Sequence, residues 1–350
     1  MYLQQLSDAV GVSGQEDAVR RIVLDAIKDH VTDIKIDALG GITAIKRGTG
    51  ATTDAPRLMI AAHMDEIGFM VKDIDSNGLI RFVNVGGVDD RILPGLRVKV
   101  GADGLPGVIL WPPIHLNREQ NVTALKNLRI DIGASSKESA NGKVKIGDRI
   151  AFDSTYTELS ETMVRGKAFD DRVGCSLLID VLQGGPYPVD IIAAFTVQEE
   201  VGLRGAKVAA QKHAPDVALI LEGTTAHDVP NPSAEPDDEI ENNPGCRVNA
   251  GPALTVMDRS MIAQPRFLNY LRQTAEQNGI PYQLKTQLGG GTDGGQIHMA
   301  GGGRPTGVIS MPCRYIHSPA AILSKTDYQH TLDLVKAAVH GLTFEAFRYE

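Results

Sequence analysis

The side chains equipped for chemistry in this chain are acids and imidazoles that close apolar runs. His63-x-Asp65 follows RLMIAA, Glu199-Glu200 follows DIIAAFTVQ, Glu222 ends VALILE, Asp170-Asp171 opens an apolar stretch and His317 lies in PCRYIHSP. Imidazole and carboxylate donors drawn from several strand ends suit Zn²⁺, Co²⁺ or Mn²⁺, and a spare carboxylate beside them suits proton transfer, which together equip a metallohydrolase. In an extended segment His63 and Asp65, at i and i+2, face one side, so the carboxylate can hold one ring nitrogen while the other meets a metal. Alone, the short H-x-D motif reads more readily as a surface histidine beside acids at a strand end. Asp170-Asp171 likewise reads as a helix cap with a first-turn acid, or as the anionic bridge that a paired site needs. Glu199 and Glu200 repel each other and lose water at the end of an apolar strand, which raises a carboxyl pKa until a cation relieves it. One can then bind that cation while its neighbour takes a proton from water; the plainer reading is two solvated acids at a helix start.

These residues need elements to carry them. Ser13-x-x-Glu16 is a possible capping box for a helix with Val19, Ile22, Val23 and Ile27 on one face. A strand is expected over 57–63, followed by short alternating strands with glycine turns from Ile67 to about Val100, then LPGVILW and GDRIAF with a polar loop over 137–143. From Arg165 the pattern becomes helix, strand, helix, strand: 171–183, 190–197, 203–212 and 217–222. A helix over 264–278 closed by Gly279, strands over 282–288 and 306–310, and a helix from Thr326 complete the series. The fold class is therefore α/β, with a β-rich domain inserted at 67–162 between 1–66 and 163–350. Continuously apolar strands with polar ends place a ligand at the carboxyl edge of the sheet.

Composition bounds the partners. The 350 residues are 42% hydrophobic with a formal charge of -8 and pI near 5.6, which disfavours nucleic acid and anionic membranes. Three cysteines outside any C-x-x-C pattern argue against a disulfide framework, and no leader or membrane span stands out, so a cytoplasmic protein is expected. Gly289-x-Gly291-x-x-Gly294 formally matches a dinucleotide fingerprint, but Arg314 stands about 20 residues on, where a ribose-binding acid belongs; a loop letting backbone donors approach a substrate fits better. His115 either reaches a neighbouring site or is an exposed loop histidine.

AAHMDEIGFMV (61–71), RGKAFDDRVG (165–174), VQEEVGLRGA (197–206), LEGTTAHDVP (221–230), GGGTDGG (289–295) and RYIHSP (314–319) resemble, in this order, the tetrahedral, dodecameric metallo-aminopeptidases. That family includes glutamyl and leucyl aminopeptidases and members labelled endoglucanases. The resemblance implies a zinc-exopeptidase-like α/β/α sandwich interrupted by a PDZ-like dimerisation domain. It implies His63, Asp170, Glu200, Glu222 and His317 as ligands of two divalent ions, zinc or cobalt or else manganese, with Asp170 bridging. Glu199 becomes the general base, Asp65 the residue orienting His63, and Asp171 the partner in an Asp-Asp peptide that is often cis. Glu222 departs from the aspartate of better-known members, and its extra methylene could alter metal spacing or denticity; related carboxypeptidases and deacylases sometimes use glutamate there. The reaction implied is release of the N-terminal residue from short peptides by a homododecamer built from dimers. A metal-dependent amidase or N-acyl deacylase is the alternative, and an inactive oligomeric scaffold a further one. An endoglucanase would need two carboxylates flanking a sugar bond without metal, and 5% aromatic content with one tryptophan offers few sugar platforms.

Overall fold

Residues 1–50, 55–111, 113, 115, 121–229 and 245–349 are described in a computed structural model. Alternation within the strand Leu58–His63 locates two cores. Leu58, Ile60 and Ala62 face one set of helices, and Met59 and Ala61 face another. A strand buried on both faces must be apolar throughout, which is why its sequence does not alternate. The sheet has eight strands in the order Thr32–Ile36, Ile42–Lys46, Ile191–Thr196, Leu58–His63, Val217–Thr225, Thr306–Cys313, Ala253–Thr255 and Gln283–Lys285. The third to sixth are mutually parallel. Helices Asp17–Ile27, Phe169–Gln183, Pro265–Gln277 and Lys325–His340 contribute to one core, and Arg204–His213 and Gly294–Ile297 to the other. This is a three-layer α/β arrangement whose parallel strands end on one edge.

Strands Gly68–Ile74, Ile80–Val85, Arg97–Val100, Leu105–Ile109, Ile130–Asp131 and Arg149–Phe152 close into a barrel. Its own apolar core includes Phe69, Phe82, Ile130 and Phe152. A small sheet of Thr157–Glu158, Met163–Gly166 and Ala321–Ser324 pairs Gly166 with Ala321. That pairing brings the segment before Asp170 beside the loop that holds His317.

Several local expectations change. Ser13 caps no helix: helix Asp17–Ile27 has no side-chain cap, and Ser13 Oγ instead donates to Asp65 Oδ2 at 2.6 Å. The polar stretch 137–143 contains a short helix, Lys137–Asn141, with a reciprocal Ser136/Ser139 capping box. The strand expected over 282–288 is reduced to Gln283–Lys285 because its neighbour Ala253–Thr255 offers only three partners. Val217–Thr225 continues three residues past Glu222, so that acid sits within a paired strand. Helix Leu3–Asp8 and the antiparallel pair Thr32–Ile36 and Ile42–Lys46 were not anticipated.

A buried ionic cluster fastens the strand end to the helix that follows the barrel. Lys167 Nζ lies 2.8 Å from both Glu66 oxygens, and Arg172 Nη2 lies 3.1 Å from Oε1. Arg172 also donates to the carbonyls of Leu6, Met64 and Ala9, and Lys167 to that of Ala9. All three charged side chains are at most 2% exposed. Removing one member of such a cluster strands the others without water. Glu66→Ala is accordingly expected to cost ~3–5 kcal/mol, measured by denaturant unfolding; a loss below about 1 kcal/mol, the worth of an exposed pair, would show that the cluster does not hold the segment.

Candidate metal centre

The parallel register decides which side chains meet. His63 is the last residue of its strand and pairs with Thr196, after which Gln198 turns the chain through the left-handed region (φ 57°) and presents Glu199 and Glu200. Glu222 arrives from the next strand. Asp170 arrives from the distorted first turn of Phe169–Gln183, where Asp170 and Asp171 are non-helical and joined by a cis peptide bond. His317 comes from the loop after Thr306–Cys313, itself at φ 58°. Ala168 and Leu203 are also left-handed non-glycines, so unfavourable backbone is concentrated around these carboxylates. All eight acids and histidines singled out in the sequence as equipped for chemistry are gathered at one sheet edge.

The two histidines are held in the same way. His63 Nδ1 lies 3.1 Å from the carbonyl of Asp65, and His317 Nδ1 lies 2.9 Å from the carbonyl of Gly87. A carbonyl only accepts, so each Nδ1 carries hydrogen and each neutral ring turns a lone pair outward from Nε2. Those lone pairs meet acceptors. His63 Nε2 faces Asp170 Oδ1 at 3.1 Å and Glu222 Oε1 at 3.5 Å; His317 Nε2 faces Asp170 Oδ2 at 3.2 Å and Glu200 Oε1 at 3.6 Å. Acceptor facing acceptor is repulsive unless a proton or a cation lies between. Glu200 Oε1 is moreover buried with no hydrogen-bond partner among the described residues. The chemistry of this donor set therefore fits divalent-cation binding. Two ligand-capable groups occur among the described residues, His63/Glu199/Glu222 and Asp170/Glu200/His317, each with one ligand atom per residue within 4.8 Å of the others. In the first, Glu199 Oε2 stands 4.0 Å from His63 Nε2, farther than either Asp170 or Glu222.

Asp65 does more than its spacing suggested. Its carboxylate accepts from Ser13 Oγ and from the backbone N–H groups of Glu199, at 3.0 Å, and Glu200, at 3.2 Å. It meets His63 Nδ1 through its backbone carbonyl more closely than through Oδ1, which is 3.5 Å away. Asp171 fixes the backbone of His63 by accepting its N–H at 3.1 Å, and Cys175 Sγ donates to the His63 carbonyl. Neither the Asp65 link to the Glu-Glu turn nor the Gly87 carbonyl has a signal in the sequence.

The electrostatics follow from crowding. Burial, reinforced by the charge of Asp170, pushes Glu200 and Glu222 up to about 8. Glu199 is raised well above the carboxylate range, chiefly by burial with Glu222, Asp293 and Glu200 adding repulsion. Against its own burial, His317 is lifted to about 9 by Asp170 and Glu200. Asp170 goes the other way: burial opposes ionisation, but both imidazoles hold its carboxyl well below its ordinary range.

A cleft of about 630 Å³ opens over this cluster. Its far walls include Thr224, Cys246, Lys285, Gln287 and the loop Gly289–Gly291. The glycine loop thus leads into a substrate-sized cavity and the short helix Gly294–Ile297. His115 is exposed in a turn.

A family profile described as M42 glutamyl aminopeptidase matches residues 40–334. A lysyl aminopeptidase of Pyrococcus furiosus is 33% identical over 353 residues, covering 97% of this chain and 96% of that protein. Among solved structures, an aminopeptidase from the archaeon Desulfurococcus kamchatkensis superimposes with a TM-score of 0.91 at 37% identity, over 98% of this chain and 95% of that one. The TET1 peptidase of Pyrococcus horikoshii, described as assembling into a tetrahedron or a large octahedral shell, gives 0.84 at 33% identity, over 97% and 98%. Similarity that runs the length of both partners, together with a cation-demanding cluster at the sheet edge, leaves one assignment: the chain belongs to the M42 family of metal-dependent aminopeptidases.

Proposed function

We propose that this peptide hydrolase removes the first residue of short peptides with His63, Asp170 and Glu222 holding one divalent ion and Asp170, Glu200 and His317 a second. The observation that carries the ligand set is the pair of imidazole Nε2 atoms, each within 3.6 Å of Asp170 and a glutamate. Zinc, cobalt or manganese ions bound there supply Lewis acidity, polarising the scissile carbonyl and making water a nucleophile at neutral pH. Glu199 is the general base: its raised affinity for protons suits it to take one from the attacking water and return it to the leaving amine. Asp65 positions that base by fixing the Glu199 and Glu200 backbone, and it holds His63 in the ligating tautomer.

The rest of the reading concerns organisation. Residues 67–162 are the inserted domain and 1–66 with 163–350 the catalytic one, with the barrel PDZ-like and dimer-forming and the whole a dodecamer built from dimers; for assembly into a closed shell, the support is the relative described as forming a tetrahedron or a large octahedral shell. A cytoplasmic location is part of this reading; among the described residues no helix is long and apolar enough to cross a membrane. The names of relatives differ between glutamyl and lysyl, so family membership alone does not fix the preferred residue.

Purified, metal-loaded protein should release the first residue from free peptides and leave their N-acetylated counterparts intact. Cleavage of the blocked set would make it a deacylase instead. Glu199→Gln should keep its metal while kcat falls by ~10²–10⁴; near-normal turnover would remove Glu199 from the role of base. Glu200→Ala and His317→Ala should each lose bound metal, read by elemental analysis after gel filtration, and full retention would break the ligand assignment.

Metal uptake should also release protons. Glu200 and Glu222 near 8 and His317 near 9 hold protons at pH 7 when no cation competes. Affinity should therefore rise as pH climbs from 6 to 8. Calorimetric titration at pH 7 in buffers of different ionisation enthalpy measures the exchange; zero net release would contradict the crowding.

A further inference from the structure

Among the described residues, Lys285 is the only lysine or arginine lining the cleft. Its direction is set by the edge strand. Gln283, Lys285 and Gln287 are half-buried while Leu284, Thr286 and Leu288 are exposed, the alternation of an extended segment with one face against protein. The Gln283 carboxamide marks that face, bonding the backbone of Arg247 and Gly251. Gln287 packs so close to Gly245 that a Cβ there would meet its carboxamide carbon at 2.5 Å. Lys285 lies between them in the row and borders the cleft with Gly245 and Cys246, whose thiol feels its charge. Its backbone is pinned, its carbonyl accepting from Val256 N–H at 3.0 Å. Among the described residues its ammonium has no acid partner.

The cleft is thus polarised. On one side stand Asp170, Glu199, Glu200 and Glu222, whose charges the proposed cations answer; on the other stands a lysine that no acid answers among the described residues. An ammonium on a flexible stem, half withdrawn from water, recognises a carboxylate as a point charge and discriminates against apolar and cationic groups. We infer that Lys285 binds a carboxylate of the peptide substrate and so sets the specificity of this cleft. A substrate can offer that carboxylate from two places, the side chain of an acidic first residue or the C-terminus of a dipeptide. This inference rests on the aminopeptidase reading above.

The test compares metal-loaded wild type with Lys285→Gln, Lys285→Arg and Lys285→Glu. One arm uses glutamyl, leucyl and lysyl p-nitroanilides, which have no C-terminal carboxylate; the other uses Leu-Ala and Leu-Ala-amide. If the side chain is read, wild type prefers the glutamyl anilide, and Lys285→Gln lowers the glutamyl-to-leucyl ratio of kcat/KM at least tenfold. Lys285→Arg restores the preference and Lys285→Glu turns it toward lysyl. If the C-terminus is read, Lys285→Gln lowers the Leu-Ala to Leu-Ala-amide ratio by a similar factor and the anilide ratios stay put. Ratios unchanged in both arms, with hydrolysis intact, overturn the inference and leave the aminopeptidase reading standing. Calorimetric binding of glutarate, which carries carboxylates and no scissile bond, separates the converse case: Lys285-dependent binding without cleavage of any peptide would sink the aminopeptidase reading and keep the carboxylate site.

Discussion

Two imidazole lone pairs aimed at opposite oxygens of Asp170 are the constraint around which the rest of this molecule is arranged. Each contact is unfavourable between a neutral ring and a carboxylate unless a proton or a cation lies between them, and Glu222 on one side and Glu200 on the other add to that need. A protein keeps such an arrangement only when stronger interactions prevent its relaxation. Here the restraints are identifiable. Carbonyls fix both rings from behind, Asp65 clamps the Glu199-Glu200 turn, and Glu66, Lys167 and Arg172 lock the segments leading into His63 and Asp170.

One of these restraints crosses between the two architectural parts. Gly87 follows a barrel strand, yet its carbonyl orients His317 from the α/β part. The barrel is therefore wired into the centre as well as attached to it. The orientation of the His317 ring thus depends on a backbone carbonyl supplied by the barrel. The insertion point makes this contact short in space: the chain enters the barrel directly after Asp65 and Glu66 and leaves it shortly before Lys167.

What the sequence revealed and what it hid have physical reasons. Strand cores such as LMIAAH and VALILE are legible because burial on both faces forces unbroken apolar runs, and acids that end such runs stand out because desolvation makes them costly. The candidate site residues were legible for that reason. The bonds that hold them were not, because they use groups every residue has: the Gly87 carbonyl and the Glu199 and Glu200 amides carry no signature. Ser13 misled for a related cause. Its hydroxyl had two acceptable uses, a helix N–H three residues on or the buried Asp65 carboxylate, and the charge-assisted bond in a dry setting is the stronger. Lys285 was invisible because a single lysine in a polar segment has no pattern; only the neighbouring row of Gln283 and Gln287 gives it a direction.

Glu222 shows how strand context can absorb a change in side-chain length. Set in the interior of Val217–Thr225, its backbone is fixed by pairing to Thr306–Cys313, so an added methylene cannot be accommodated by moving the chain. The side chain folds back instead: Oε1, the oxygen that faces His63, also accepts from the N–H of Gly223 at 3.0 Å. A carboxylate tied to the next peptide reaches less far than an extended glutamate, closer to the span of an aspartate. Room for this comes from Gly223, where a Cβ would stand 3.1 Å from Asp170 Cα. The Glu-Gly pair in LEGTTA therefore works as a unit, the glycine admitting Asp170 against the strand while its amide draws the longer acid back. The length of the acid then bears on which oxygens remain free for a cation more than on how far apart two cations sit.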